Sequence, residues 1–400
     1  MDLEDTQKLK RKWLNTNWVL LLSTLSLVTL GILFVKSACS TRESEVLRML
    51  WVGQLEFAVL GFIFMCLIAL TDYRQWIKLS GIIYLIMLTT LILVLIPGIG
   101  QAQMGARRWL FGLQPSEPAK LGVILLVASI LGRLKEHQRS FKTLLKIGIL
   151  TGIPAVLILC EPDLGTALVL GPTVLSMLFL ARIAPKTLGI ATLLICLVVA
   201  YELTIVSIAK DEATPPERSE QLLKWTGLRD HQVRRVETFL FPDRDPFGDG
   251  YNARQSEIAV GSGGAWGKGY GQGIQHRMGY LPAKVSVNDF IFPVIAEELG
   301  YAGSLFLISL YGFGIFLPGL IIAIRCKDDT GKLLALGIVF LLFCHIFINI
   351  GMTVRIVPIT GLPLPFISQG GTFMLVMMMA MGVLQSVAIH GRSTEHVFRR

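Results

Sequence analysis

An all-α integral membrane protein, with about ten transmembrane helices and one large extracytoplasmic loop, is the fold the sequence predicts. Two observations carry that prediction. Of the 400 residues, 53% are hydrophobic and only 16% charged, with a mean hydropathy of +0.62, which is too apolar for an ordinary soluble domain. Ten segments also approach or exceed the ~17 apolar residues that a helix needs to cross roughly 30 Å of hydrocarbon.

The segments are Trp18 to Val35, Leu50 to Leu70, Ser80 to Ile96, Pro118 to Leu134, Leu144 to Leu159, Leu164 to Ile183, Thr187 to Ile208, Tyr301 to Ile324, Leu333 to Ile350 and Phe373 to Ile389. The fifth and sixth are separated only by a short CEPD turn and read alternatively as one re-entrant hairpin. Lys and Arg of the short connecting segments fall about three to one on one side of the membrane. That side holds Lys8, Lys10, Arg11 and Lys12, so both termini are expected in the cytoplasm. The segment from Lys210 to Asn288 is then extracytoplasmic. The net charge of +9 largely reflects this bias, so membrane lipid, not nucleic acid, is the expected counterpart. The first span lacks a small-residue cleavage site and reads as a retained helix, not a signal peptide. The dispersed Cys and His show no metal-ligand spacing, and no structural metal is expected. Without internal repeats, residues 1–400 read as one polytopic domain with the 210–288 loop inside it.

Five polar stretches carry the candidate chemistry. In GARRWLFGLQPSEPAKLG, Gly105 to Gly122, Pro115, Ser116 and Pro118 mark a helix start with Ser116 as N-cap. Glu117 and Lys120 share a helical face, either as a local ion pair or as the floor of a polar cavity. Arg107 and Arg108 stand near a helix N-terminus, which attracts anions; they either snorkel to headgroups or hold a phosphate. In CEPDLGTAL, Asp163 reads as the cap of the next helix. GSGGAWGKGYGQG, with Lys268 as its one charge, is a weak nucleotide signal, and its glycines point instead to close backbone approach. The aromatic stretch from Phe239 onward is expected to pack back on the membrane domain; Lys210 to Arg235 reads as an interfacial amphipathic helix or a mobile segment. GLPLPFISQGG, which contains Ser368, cannot continue a helix and at membrane depth must line protein or a wet cavity.

The remaining stretch is VSVNDFIFPVIAEELG, Val285 to Gly300. Pro293 fits an early helical turn if Asn288 or Asp289 is the N-cap. Asp289 then sits at the water boundary, with Glu297 and Glu298 roughly 12 Å deeper at about 1.5 Å per residue. The deeper pair is expected to bond Lys120, Arg355 or other buried groups. On spacing alone Asp289 is an ordinary cap or an acid that meets a substrate.

Taken in order on this layout, GARRW, QPSEPAKLG, EPDLGTAL, GSGGAWGKGYGQG, NDFIFPVIAEELG and GLPLPFISQGG resemble the SEDS family of bacterial cell-wall polymerases. GKGYGQG followed by GYLP looks closer to elongation-type than to division-type members. The resemblance implies a peptidoglycan glycosyltransferase that joins the disaccharides of lipid II, a polyprenyl-pyrophosphate-linked precursor, on the outer face of the bacterial cytoplasmic membrane. It implies Asp289 as general base, and Arg108, Trp109, Glu117 and Lys120 as cavity residues; on the reading of the residues themselves, Arg107, Lys268 and Ser368 are added on the substrate side. Asp163, Glu297, Glu298 and Arg355 are expected as supports. A class B penicillin-binding protein and other elongation-complex proteins are the implied partners. No cofactor is called for, and a divalent cation beside the departing pyrophosphate is left open. This chain departs from the family pattern at Val287 and Asn288 (His-Thr elsewhere), Glu161 (Gln), Gln369 (Tyr) and Arg355 (a small residue). The rival reading is a flippase for the same precursor, which would hold its key charges near the midplane of related halves.

Overall fold

The computed structural model describes residues 15–40, 45–103, 106–134, 140–183, 185–211, 213–226, 230–241, 244 and 248–392. Lys8, Lys10, Arg11 and Lys12, which entered the orientation expectation, lie outside the described residues. In chain order the elements are α1 (Trp18–Cys39), α2 (Leu50–Leu70), α3 (Tyr73–Leu95), a hairpin of β1 (Gln101–Gln103) and β2 (Ala106–Trp109), α4 (Ser116–Leu131), α5 (Phe141–Cys160), α6 (Leu164–Leu180) and α7 (Pro185–Ala209). Within the 210–288 segment come α8 (Pro216–Thr226), α9 (Asp230–Leu240) and α10 (Asp249–Ser262). The chain ends with α11 (Ile291–Arg325), α12 (Asp329–Thr353) and α13 (Gly371–His390).

Among the described residues, eight helices are long and apolar enough to cross a membrane: α1, α2, α3, α5, α7, α11, α12 and α13. The apolar α4 and α6, of 16 and 17 residues, are shorter. Eight membrane-length helices and the two shorter ones thus fall on the ten segments read from the sequence.

The bundle is built around α13, whose apolar window is 89% buried against 28% for α2. These two helices touch through glycine: a Cβ on Gly382 would lie 2.7 Å from the Met65 carbonyl oxygen. Without a hydrophobic drive between helices in lipid, such close backbone approach is what supplies packing energy. One face of the bundle is pinned where the first and last helices meet. Gln385 on α13 accepts from the Asn17 backbone N–H at 3.1 Å and donates to its carbonyl at 2.8 Å. On the same face Asp328 caps α12, accepting from Gly331 N–H, and takes further bonds from the Tyr73 hydroxyl and Arg74. Alternation of the ten helices gathers the hairpin, the 161–163 turn, the 210–288 segment, Asp289 and residues 354–370 on the opposite face.

Two expected helix starts need correction. Pro115, not Ser116, is the N-cap of α4, and Ser116 is its first helical residue, buried, with no hydrogen-bond partner for its Oγ. Neither Asn288 nor Asp289 caps α11, which begins at Ile291 with Phe290 at the cap. The carbonyls before that start are engaged by other elements, so the chain there is a tethered turn.

α11 is also interrupted. Gly300 has φ 67° and ψ −164°, and a π-helical stretch follows at Gly312–Phe316. A break at this depth orphans backbone groups that water cannot reach, and the glycine-rich segment supplies them. Lys268 and Gly269 N–H donate to the carbonyls of Glu297 and Glu298, while Tyr301 and Ala302 N–H donate to those of Gly264 and Ala265. A Cβ on Gly267 would stand 2.1 Å from the Glu298 carbonyl oxygen, and one on Gly300 2.3 Å from the Gly267 nitrogen. The glycines are the clearance this clamp requires, as the sequence suggested.

Candidate active site

Asp289 lies half-buried on a short turn between two helices, and its backbone is held from outside that turn. Three consecutive carbonyls point into the 361–370 segment and α12. Val287 accepts from Gln369 N–H at 2.9 Å, Asn288 from the Ser368 hydroxyl at 2.5 Å, and Asp289 from Asn349 Nδ2 at 2.9 Å. Ser368 Oγ in turn accepts from Leu364 N–H, and Asn349 also donates to the Leu362 carbonyl. Gln54 on α2 completes the brace through the Ser368 carbonyl and Gly370 N–H. The 361–370 segment is therefore irregular backbone, largely buried in protein at the edge of the bundle, as its prolines and glycines demanded.

The Asp289 carboxylate faces Gly361, where φ is +73° and a Cβ would sit 3.3 Å from Oδ2. The adjacent Thr360 carbonyl accepts from Arg235 Nη1 at 3.1 Å, which ties α9 to the backbone one residue from Gly361. Gly165, in the first turn of α6, packs on the same carbonyl. Asp163 caps that helix through Thr166 N–H and Oγ1, as predicted, and accepts from Gln114 Nε2 at 2.9 Å. Arg108 Nε donates to the Glu161 carbonyl at 3.0 Å and Nη2 to that of Pro162. Arg108 on the 161–162 carbonyls and Arg235 on that of Thr360 thus stand at two turns that meet where Gly165 packs on the Thr360 carbonyl, with Asp289 facing the next residue, Gly361. The Glu161 carboxyl, buried with neither oxygen hydrogen-bonded, is pushed up to about 8 by burial and by Asp163, against the opposing pull of Arg108.

Other expected site residues are placed differently. Glu117 and Lys120 form an ion pair at 2.9 Å, but both are buried. Lys120 Nζ also lies 2.9 Å from His345 Nε2 and over the Phe373 ring, so it does not meet a ligand surface in this conformation. The pair instead sits under the site, because His345 precedes Asn349 by one turn of α12. Ser368 is likewise a buried brace, not a surface contact. Lys268 is matched to Glu297 at 2.6 Å, and Glu297 further accepts from Ile274 and Gln275 N–H. Glu298 accepts from Ser37 at 2.5 Å and faces His276 at 3.4 Å. The deeper acids therefore bond neither Lys120 nor Arg355, since the clamp interposes its own lysine. Arg355 follows the end of α12, points out toward the loop and pairs with Glu257 on α10 at 3.1 Å; it is not a buried charge. Arg107 is exposed on the hairpin and Trp109 half-buried.

Sequence reasoning passed over Arg235, His345 and Asn349. The last two carried a usable signal, polar side chains inside an apolar span; Arg235 lay at the end of the segment read as amphipathic or mobile, where nothing in the sequence names the carbonyl it reaches.

The FTSW_RODA_SPOVE family, described as cell cycle protein, matches residues 17–393. This chain belongs to that family. Among FTSW_RODA_SPOVE relatives it is 34% identical to the peptidoglycan glycosyltransferase MrdB of Escherichia coli (strain K12), covering 85% of each chain. It is 36% identical to the probable peptidoglycan glycosyltransferase FtsW of Coxiella burnetii, over 94% of this chain and 96% of that one. Among solved structures, a chain from work on how a peptidoglycan synthase complex coordinates polymerization and crosslinking superposes with a TM-score of 0.73 at 25% identity, covering 93% of this chain and 97% of the other. The rod shape determining protein RodA of Thermus thermophilus shares the fold at a TM-score of 0.62 and 23% identity, over 95% and 99% of the two chains.

Proposed function

We propose that this protein is a peptidoglycan glycosyltransferase that polymerises lipid II during cell elongation, working on the extracytoplasmic face of the bacterial inner membrane. The observation that carries the reading is the aimed acid. The turn that carries Asp289 is held by bonds to the carbonyls of Val287, Asn288 and Asp289, the carboxylate faces Gly361 with Arg235 on the adjoining Thr360 carbonyl, and Arg108 holds the neighbouring 161–162 turn.

Glycosyl transfer from a pyrophosphate leaving group needs a base for the acceptor hydroxyl and cations for the departing charge. Asp289 takes the proton as the sugar oxygen attacks the anomeric carbon. The carbon–oxygen bond to pyrophosphate breaks on the opposite side, which inverts the configuration. Arg108 and Arg235 stabilise the charge that develops there, with the exposed Arg107 as an outer contact. A divalent cation at this step would draw its oxygens largely from the substrate phosphates, since no cluster of three or more His, Cys, Asp or Glu lies among the described residues. A class B penicillin-binding protein is the fitting partner, given the relative found in a complex that couples polymerization to crosslinking.

Purified protein supplied with lipid II should yield glycan polymer on a gel, and Asp289→Ala should yield none while melting at the wild-type temperature. Equal polymer from both would remove the base assignment.

A further inference from the structure

The turn between β2 and α4 displays an aromatic ring that the fold does not use. Leu110 and Leu113 exchange both backbone bonds, at 2.8 and 3.0 Å, which leaves Phe111 and Gly112 as the two central residues. Both have positive φ, 51° and 79°, the geometry in which Asn-Gly is the usual pair. A bulky residue at the first of these positions is a strained outlier. Phe111 bears that strain with its side chain 85% exposed, so neither turn chemistry nor packing inside the protein explains the ring. Strain kept where the fold gains nothing points to a contact outside the chain.

The placement of the turn says which phase supplies that contact. Gln114, directly after it, donates through its N–H to Thr372 Oγ1 at 3.2 Å, in the first turn of the membrane-length α13, and through Nε2 to Asp163, the N-cap of α6. The turn therefore stands level with the start of a membrane span, where hydrocarbon gives way to water. α3 ends at the same boundary. Its Leu85 and Ile92 share one helical face and, with Ile96 at the C-cap and Ile99 beyond, form an exposed apolar strip that faces lipid. The hairpin folds back on the end of this strip: a Cβ on Gly100 would lie 1.9 Å from the Val94 carbonyl oxygen and 3.1 Å from Arg107 Cγ. Lipid-facing surface thus continues from α3 onto the connection that carries Phe111 and the exposed Leu113.

We propose that the 110–113 turn enters the leaflet on the Asp289 face, with the Phe111 ring seated among lipid acyl chains just below the headgroups. Acyl chain is the occupant that fits, because the surface the turn extends already faces lipid. The insertion does not depend on the proposed reaction. It fixes the depth of β2 and so of Arg108, three residues before Phe111, which holds the 161–162 carbonyls.

The test uses full-length protein in phosphatidylcholine nanodiscs, in a background with Cys66, Cys160 and Cys196 replaced by alanine. Phe111→Cys and a water-facing reference, Asp329→Cys, whose native side chain is 66% exposed, each carry a nitrobenzoxadiazole probe. The probe at 111 should emit to the blue of that at 329, lose most of its emission to phosphatidylcholine bearing a nitroxide high in the acyl chain, and resist aqueous iodide. Iodide quenching equal to that at 329, with no response to the nitroxide lipid, overturns the proposal. So does protection from iodide that arises only on addition of lipid II, which would make the ring a sugar contact. If the cysteine variant does not fold, p-benzoylphenylalanine in place of Phe111 keeps an aromatic ring at the tip. Photocrosslinks to phospholipid then uphold the insertion, and crosslinks confined to protein, or none, overturn it.

Discussion

Lys120 shows how a buried ion is made tolerable: its ammonium is paired with Glu117, bonded to His345 and set over the Phe373 ring. His345 serves as an acceptor in that arrangement. An amide oxygen reproduces the role and an aliphatic side chain does not, so His345→Gln should stay within about 1 kcal/mol of wild type, whereas His345→Leu should cost roughly 1–3 kcal/mol. Thermal unfolding in detergent measures both. Glu161 is the opposite case, a buried carboxyl without hydrogen bonds. Between its ordinary 4.5 and about 8 the folded chain keeps a proton that the unfolded chain has released, so stability falls as pH rises through that window. Glu161→Gln should flatten this slope and raise Tm at pH 8 by a few degrees. An unchanged pH profile of unfolding would contradict it. Asp163 was legible because a cap is decided within four residues. The partners of Glu161 and Lys120 were not, since they come from spans that only the tertiary fold brings near.

At the level of elements, the glycine-rich segment and the break in α11 are two halves of one device. Each supplies the hydrogen bonds the other lacks, and each needs glycine where the other's backbone passes. Gly300→Ala places a Cβ against the Gly267 nitrogen at a positive φ. It should destabilise by about 3 kcal/mol or more and expose residues 261–277 to limited proteolysis before the bundle unfolds. Cleavage at the wild-type rate would argue against the clamp. The sequence announced the close approach through glycine density. It could not announce the partner, so Lys268 read as a ligand contact and Glu297 as a partner of Lys120, Arg355 or some other buried group. An ion pair between Lys268 and Glu297 leaves no periodic trace, unlike Glu117 and Lys120 at three apart. The start of α11 was misplaced for a related reason: Pro293 and Asn288 satisfy the local rules for a start two residues early, and bonds from Asn349 and Ser368 override them.

Across the whole molecule, apolar length was enough to locate every helix of the bundle, while the assembly of the site depended on which ends share a face. Odd-numbered connections gather Arg108, Asp163, Arg235 and Asp289 opposite the face that Gln385 and Asp328 pin. The proposed orientation then predicts the outcome of impermeant-maleimide labelling on intact cells. In a background with Cys160 and Cys196 replaced by alanine, Trp266→Cys, at a position 84% exposed, should label. Asp329→Cys, on the pinned face, should label only after lysis. The reverse pattern would place the acid in the cytoplasm and end the proposed reaction.

The brace made by Gln54 ties the acid's support to α2, one of the helices most open to lipid. Bilayer thickness acts on the tilt of such a helix. The membrane itself therefore has a mechanical handle on where the reactive oxygen points.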